Sequence, residues 1–340
     1  MIDKLKIFDD YQRTDSRPSW FSEPYYTFLN RIQNPEFEKV RKLLETWFKV
    51  YPDKDRNRLK SMFISDFQSA FFELFIYAFF TKLNYEAVTH PSIENGKTIK
   101  TPDFLFSSES TEFYVEATVA EDLSNQEKKK ENILNRVYDS LTEVKSPNFF
   151  LDLSDLELKN DKKSPSIRNL RAQLNAAVME HDPDEVISYM HGNYSLAPYI
   201  KYENNDLKAV IRLMPKKEKF RNEDSDTIGI LQKGGGIVTV DLSIKKAIEK
   251  KAKKYKNSKI PLIIAVNSIS PMGIYKIEIT DILFGKSSVT IDPKTMVQQP
   301  GRRLDGLLYG PKGPRNRNIS AVLITTLYPT NIHKLNYQIH

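Results

Sequence analysis

Four charged side chains stand in stretches that otherwise want to be core. Glu73 sits within Phe71-Phe72-Glu73-Leu74-Phe75, Asp103 within Thr101-Pro102-Asp103-Phe104, and Glu116 within Tyr114-Val115-Glu116-Ala117-Thr118. Lys251 belongs to a segment beginning at Ser243 whose apolar residues Ile244, Ala247, Ile248, Ala252 and Tyr255 recur at helical spacing. At about 100° per residue, the mean direction of that stripe passes close to position 251. Seven other lysines (245, 246, 250, 253, 254, 256 and 259) fall off the stripe or beyond the helix. An ionised carboxylate costs several kcal/mol to bury unless it is compensated. Arg or Lys is the structural compensation, and a hard divalent cation bound through oxygen is the functional one. Two carboxylates, a cation and an ammonium suit hydrolysis of a phosphodiester: the cation activates water, and the ammonium stabilises charge.

Each residue also has a plainer reading. Asp103 after Pro102 fits a turn residue or a cap. Glu116 is merely solvated if its strand lies at a sheet edge. Glu73, with Ser69 and Asp66 one and two turns before it, forms a narrow polar stripe that an Arg or Lys could satisfy. Lys251 could snorkel along the sheet edge.

The elements that must position these residues follow from periodicity. Phe37, Val40, Leu43, Leu44 and Trp47 mark an amphipathic helix in a polar, helical segment over residues 1–60. A helix capped by Ser65 or Asp66 runs to about Leu83 and is apolar on nearly every side, the pattern of a buried helix. Three short strand-like runs come next: 86–89, 103–106 after a loop holding Asn95-Gly96, and 112–119. Their short connections predict an antiparallel meander. A charged helix is expected over about 125–144, a short strand at 149–151, a helix carrying Leu170, Leu174, Ala177 and Val178, and strands at 199–202 and 209–214. After a turn at Gly234-Gly235-Gly236 and the helix of Lys251, the run 261–266 is continuously apolar, as in a sheet interior covered on both faces. A last apolar strand spans 319–325.

Composition narrows the classes. The chain has 340 residues, 40% of them hydrophobic, and a net charge of +7, enough for a large core and compatible with a polyanionic partner. With no cysteine, disulfides, thiolate zinc sites and thiol catalysis are excluded. The histidines (90, 181, 191, 333 and 340) show no metal-binding spacing. No apolar run is long enough to span a bilayer, and the N-terminus has no signal-like segment. These features predict a soluble, cytoplasmic protein. The triple glycine precedes Ile-Val-Thr-Val rather than a helix, so it is not a nucleotide-binding loop, and no GxSxG elbow occurs. Lys128-Lys129-Lys130 and the lysines of 245–259 read mostly as solvated helix faces. The Gly/Pro/Arg-rich loop 310–317, with Arg302 and Arg303, suits either a solvated loop or a grip on phosphates.

The order helix with Glu, strand, strand starting Pro-Asp, strand with Glu, helix, strand resembles the PD-(D/E)XK nuclease superfamily. The matching residues are Glu73, Pro102-Asp103 and Glu116-Ala117-Thr118. The resemblance covers roughly residues 61–120 and 240–270. It implies an α/β (α+β) fold with a restriction-endonuclease-like core, a mixed central sheet flanked by helices. The parts would be a helical segment 1–60, core 61–125, a large α+β insertion 126–238, and the rest of the core with C-terminal strands over 239–340. It implies a Mg²⁺- or Mn²⁺-dependent nuclease acting on DNA, without a nucleotide cofactor. Asp103, Glu116 and the Ala117 carbonyl would be metal ligands, Glu73 an accessory acid, and Lys251 the group serving the attacking water. Thr118 is the departure, because the family usually has lysine there; some members carry that lysine on the following core helix, the place of Lys251. An inactive nucleic-acid- or protein-binding module on the same fold is the alternative. A homodimer is compatible with either.

Overall fold

A computed structural model describes residues 5–95, 98–121, 123–160, 162–222, 227–230, 240–255, 258, 260–270 and 273–332. Gly96, the Gly234-Gly235-Gly236 turn, Lys256, Lys259, His333 and His340 lie outside them. The chain divides into two compact units, one of Met1–Arg17, Pro24–Asp122 and Val238–His340, the other of Pro18–Glu23 and Leu123–Ile237.

The first unit opens with helices α1 (Tyr25–Arg31), α2 (Pro35–Val50), α3 (Asp53–Ser65) and α4 (Phe67–Lys82). Strands β1 (Glu86–Thr89), β2 (Ile93–Asn95), β3 (Thr98–Lys100), β4 (Phe104–Ser107) and β5 (Glu112–Ala120) follow. The second unit holds α5 (Asn125–Thr142), β6 (Phe149–Leu158), α6 (Arg168–Glu180), α7 (Pro183–Met190), β7 (Tyr199–Glu203), β8 (Leu207–Pro215) and β9 (Ile228–Ile230). The first unit then resumes with α8 (Val240–Ala252), β10 (Leu262–Ser268), α9 (Lys276–Phe284), β11 (Ser287–Ile291), β12 (Gln298–Arg302), β13 (Tyr309–Gly310), β14 (Gly313–Pro314) and β15 (Ala321–Thr325).

The fold is mixed α/β, and the sheet of the first unit is mixed too. Its strand order is β1-β4-β5-β10-β15. β1, β4 and β5 run antiparallel as expected, but only β4 and β5 are joined by a short turn, the β2–β3 hairpin lying between β1 and β4; β10 lies parallel to both β5 and β15. Parallel neighbours need a long crossover, and between β5 and β10 that crossover contains the main segment of the second unit and α8. Leu262, Ile264 and Val266 of β10 pack with Ile244, Ile248 and Ala252 of α8 on one face. Ile263 and Ala265 face the α4 core. β10 is therefore covered on both sides, as its unbroken apolar run requires.

α4 is the other pillar. Asp66 caps it by accepting from Ser69 N at 3.2 Å. Asn84 ends it in the left-handed region (φ 65), a conformation asparagine tolerates at a helix C-terminus. Ala70, Phe71, Phe72, Leu74 and Ile76 are fully buried, because helices α2 and α3 take one side and the sheet the other.

The second unit has its own sheet, ordered β7-β8-β6-β9. Its core includes Leu151, Leu170, Leu174 and Leu213. Here the structure departs from the sequence expectation in three ways. The strand at 149 runs on to Leu158 through a bulge between Asp152 and Asp155. A second helix, α7, starts where Asp182 accepts from Asp184 N and Glu185 N. Pro18–Glu23, expected in the N-terminal helical segment, belongs to this unit, with Asp139 accepting from Phe21 N and Ser22 N. Among the described residues, no helix is long and apolar enough to cross a membrane.

Candidate functional site

The site forms where β4 stops and β5 continues. The last β4–β5 pair is Phe104 with Val115, so Asp103 falls opposite Glu116, one step past the ladder. Pro102, which has no N–H, helps end β4 there. The Asp103 side chain takes over: its Oδ2 accepts from Ala117 N at 2.7 Å. In an extended strand the N–H and C=O of one residue leave on the same side. Tyr114 N bonds Pro261 O and Ile269 N bonds Ala120 O, both toward β10. Ala117 is of the opposite parity, so its carbonyl, like its N–H, faces Asp103.

Side chains 114, 116, 118 and 120 share the face covered by α8, and 113, 115, 117 and 119 share the α4 face. Glu116 thus points under α8 and is 1% exposed. Its Oε1 accepts from Lys251 Nζ at 2.7 Å and from Lys254 Nζ at 2.9 Å; its Oε2 accepts from Tyr255 OH at 2.8 Å. Lys251 does lie on the buried stripe. It is not alone, because α8 ends at Ala252 and the turn that follows carries Lys254 and Tyr255 back to the same carboxylate. Tyr255 read as one more apolar residue of the stripe. Instead it combines a buried ring with a working hydroxyl, whose pKa is raised by burial and by the Glu116 charge.

Asp103 is the perturbed acid. Burial, then the neighbouring charge of Glu116, pushes its carboxyl up to about 7; Glu73 adds to the rise, while Lys251 and the Ala117 N–H oppose it. Like charges placed directly across a strand pair repel, and this pair shows it. Glu116, Lys251 and Glu73 therefore all act on Asp103.

Glu73 belongs to the opposite face, and both its oxygens are engaged. Oε1 accepts from Tyr51 OH at 2.6 Å and from Arg58 Nη2, and Oε2 from Arg58 Nη1 at 3.3 Å. Burial alone would raise its pKa, but His90, Arg58 and Tyr51 outweigh that and hold it below the ordinary glutamate value. His90 links the two faces. Its backbone is left-handed (φ 50), its N–H donates to Asp103 O at 2.9 Å, and its Nε2 stands 3.5 Å from Glu73 Oε1. Tyr51, Arg58 and His90 lie 15–22 positions from Glu73 in sequence or on another element, with no periodic signal to mark them. A left-handed histidine is the one backbone clue, and it is visible only in the fold.

Among the described residues, no group of three or more His, Asp or Glu side chains is gathered in the arrangement of a cation cage. Asp103 and Glu116 stand opposite each other in the strand register, and the Ala117 carbonyl leaves β5 on the Asp103 side. Comparison with protein-family models, curated proteins and solved structures returned no match to this chain.

Proposed function

We propose that this protein is a metal-dependent nuclease that hydrolyses phosphodiester bonds of DNA on a restriction-endonuclease-like core. The observation that carries the reading is the Lys251–Glu116 contact, with Asp103 one step away across the strand pair. Lys251 comes from an element 135 positions distant, yet it reaches the acid that stands two residues before Thr118. An ammonium is thereby supplied at the carboxylates although Thr118 cannot supply it.

The donor set fits a hard cation. It is all oxygen, it includes a backbone carbonyl, and it sets two carboxylates opposite each other in the strand register, where burial and then the Glu116 charge raise the pKa of Asp103. Asp103, Glu116 and the Ala117 carbonyl would hold Mg²⁺ or Mn²⁺, which when bound polarises a phosphoryl oxygen and acidifies water. Lys251 positions the attacking water and stabilises charge developing on phosphate oxygens. Lys254, half exposed, is placed to meet a substrate phosphate. Glu73 acts from the far face as a fixed negative charge, kept ionised by Arg58 and Tyr51.

One observation favours a second reading. Glu116 already receives three hydrogen bonds, the satisfaction expected of a purely structural buried acid. On that reading the protein is a catalytically inactive module that binds nucleic acid or protein. Plasmid cleavage with Mg²⁺ or Mn²⁺ decides between them. The nuclease reading requires activity that disappears in Glu116→Ala and in Lys251→Met; cleavage undiminished in both, or none in the parent protein, removes it.

A further inference from the structure

The β11–β12 hairpin is a two-stranded ribbon outside the main sheet of the first unit. Of its strand residues only Ser288 is even half-buried. An isolated two-stranded ribbon is marginal in water, but this one is clamped at both ends. At its base, Arg302 Nη1 donates to Asp281 Oδ1 and Gly285 O at 2.8 Å each, and Lys286 N donates to Asp305 Oδ1 at 3.1 Å. Gly285 (φ +102) is needed there, since a Cβ would meet Arg303 O at 1.9 Å. At its tip, Asp292 Oδ1 accepts from Lys294 N and Thr295 N. The ends are fixed while both faces stay bare.

The faces differ. Register places Thr290 opposite Gln299 and Ser288 opposite Gly301 on a small, polar face. Val289 opposite Pro300 and Ile291 opposite Gln298 form the other. The segment 286–303 carries Lys286, Lys294, Arg302 and Arg303 against a single acid, Asp292, which its own turn engages. Lys294 and Arg303 are exposed and form no ion pair with a described residue.

We infer that this hairpin is a reading ribbon for duplex DNA: it enters the major groove with Thr290 and Gln299 toward the base edges, and Lys294 and Arg303 bind flanking phosphates. The substrate class rests on the nuclease reading above. The groove, about 12 Å wide, admits a two-stranded ribbon; glutamine pairs with adenine there, threonine with several bases, and apolar side chains with the thymine methyl. A second copy of this chain would bring like charge against like charge, and the deep, narrow groove of double-stranded RNA is closed to a ribbon. The geometry also links the ribbon to the carboxylates. Lys245 of α8 donates to Asp305 O, and Asp241 of α8 pairs with Lys286 at 3.5 Å. Lys251 lies six residues beyond Lys245 on the same helix, about 9 Å along its axis, the rise of about three base pairs.

The test is fluorescence anisotropy of the full chain on random-sequence duplex DNA in EDTA, so that no hydrolysis intervenes, combined with selection from a random duplex pool. Lys294→Ala/Arg303→Ala should weaken duplex binding about tenfold or more and reduce the salt slope by about 2, near 0.9 per phosphate contact. Thr290→Ala/Gln299→Ala should flatten the selected sequence preference by about tenfold at one or two positions. All four residues are exposed, so unchanged thermal melts should accompany both variants. The inference falls if the parent protein does not bind duplex, if it binds single strands or double-stranded RNA equally well, or if both variants keep parental affinity, slope and preference. It also falls if the variants change only the oligomeric state. Cleavage by the parent, with both hairpin variants keeping parental affinity, slope and preference, overturns the ribbon and spares the nuclease reading. Variants that lose binding in a protein that never cleaves DNA spare the ribbon and overturn hydrolysis.

Discussion

Replacing Asp103 by asparagine should make the first unit more stable at alkaline pH. Burial and the Glu116 charge raise the carboxyl from its ordinary 3.8 to about 7 in the folded protein. Between those values the native chain holds a proton that the unfolded chain has released, so stability falls as pH rises through that window. Above the folded value the whole cost is present. At 1.36 kcal/mol per pH unit it amounts to about 4 kcal/mol, and relaxation around the charge leaves roughly 2–4 kcal/mol as the expected effect. Asparagine keeps an oxygen to accept from Ala117 N and drops the charge. Asp103→Asn should therefore exceed the parent by that amount at about pH 8 and match it near pH 4. The assay is urea unfolding in EDTA at several pH values. The two tryptophans lie in different units, Trp20 in the second and Trp47 in the first, so a Trp20→Phe background makes fluorescence report the first unit alone. Adding Mg²⁺ should then stabilise the parent and not the variant, because a ligand stabilises only a state that binds it. An asparagine variant that is less stable at alkaline pH, or whose advantage is the same at acid and alkaline pH, would refute the electrostatic account.

Other outcomes follow from the same geometry. Arg58→Ala leaves the buried Glu73 charge unpaired and should cost about 3 kcal/mol; adding Glu73→Gln should restore most of it, and chemical denaturation of the single and double variants checks this. Tyr255→Phe removes a hydroxyl from a buried carboxylate and should cost about 2 kcal/mol, read as a lower unfolding midpoint at unchanged slope. In the second unit, Asp182→Ala removes the cap of α7 and should cost about 1 kcal/mol, visible in the Trp20 signal with the Trp47 environment unaffected.

Elements whose burial is dictated by one-sided or all-round apolarity were readable without coordinates. α4 carries apolar side chains all round, and it is sandwiched as that pattern demands. β10 has no polar alternation until Asn267, where the sheet needs a different job done: Asn267 Nδ2 donates to Leu327 O and its Oδ1 accepts from Leu327 N. Lys251 was legible because a helix wheel has a definite centre. Lys254 and Tyr255 were not, because the wheel stops applying where α8 ends. The β2–β3 and β11–β12 hairpins went unread, since β2 and β3 are three residues each, the alternation of β11 lasts only from Ser288 to Ile291, and Gln-Gln-Pro-Gly-Arg in β12 has none. The Arg58 and His90 contacts to Glu73 depend on tertiary placement alone.

The crossover between β5 and β10 has a consequence for the order of events at the ribosome. Synthesis runs from the N-terminus, and domains fold as units as they emerge. When β5 has been made, Glu116 has neither its strand neighbour nor its lysines; the whole of 123–237 must be translated first. The second unit can assemble during that interval, because apart from Pro18–Glu23 its residues are contiguous. The first unit cannot close its sheet until β10 and β15 arrive. Until then an unpaired β5 edge with an uncompensated acid is exposed, which blunts premature strand pairing much as inward charges do on edge strands. The carboxylate site is thus absent until α8 and β10 have been made, and comes into being only once residues 240–268 have followed the second unit.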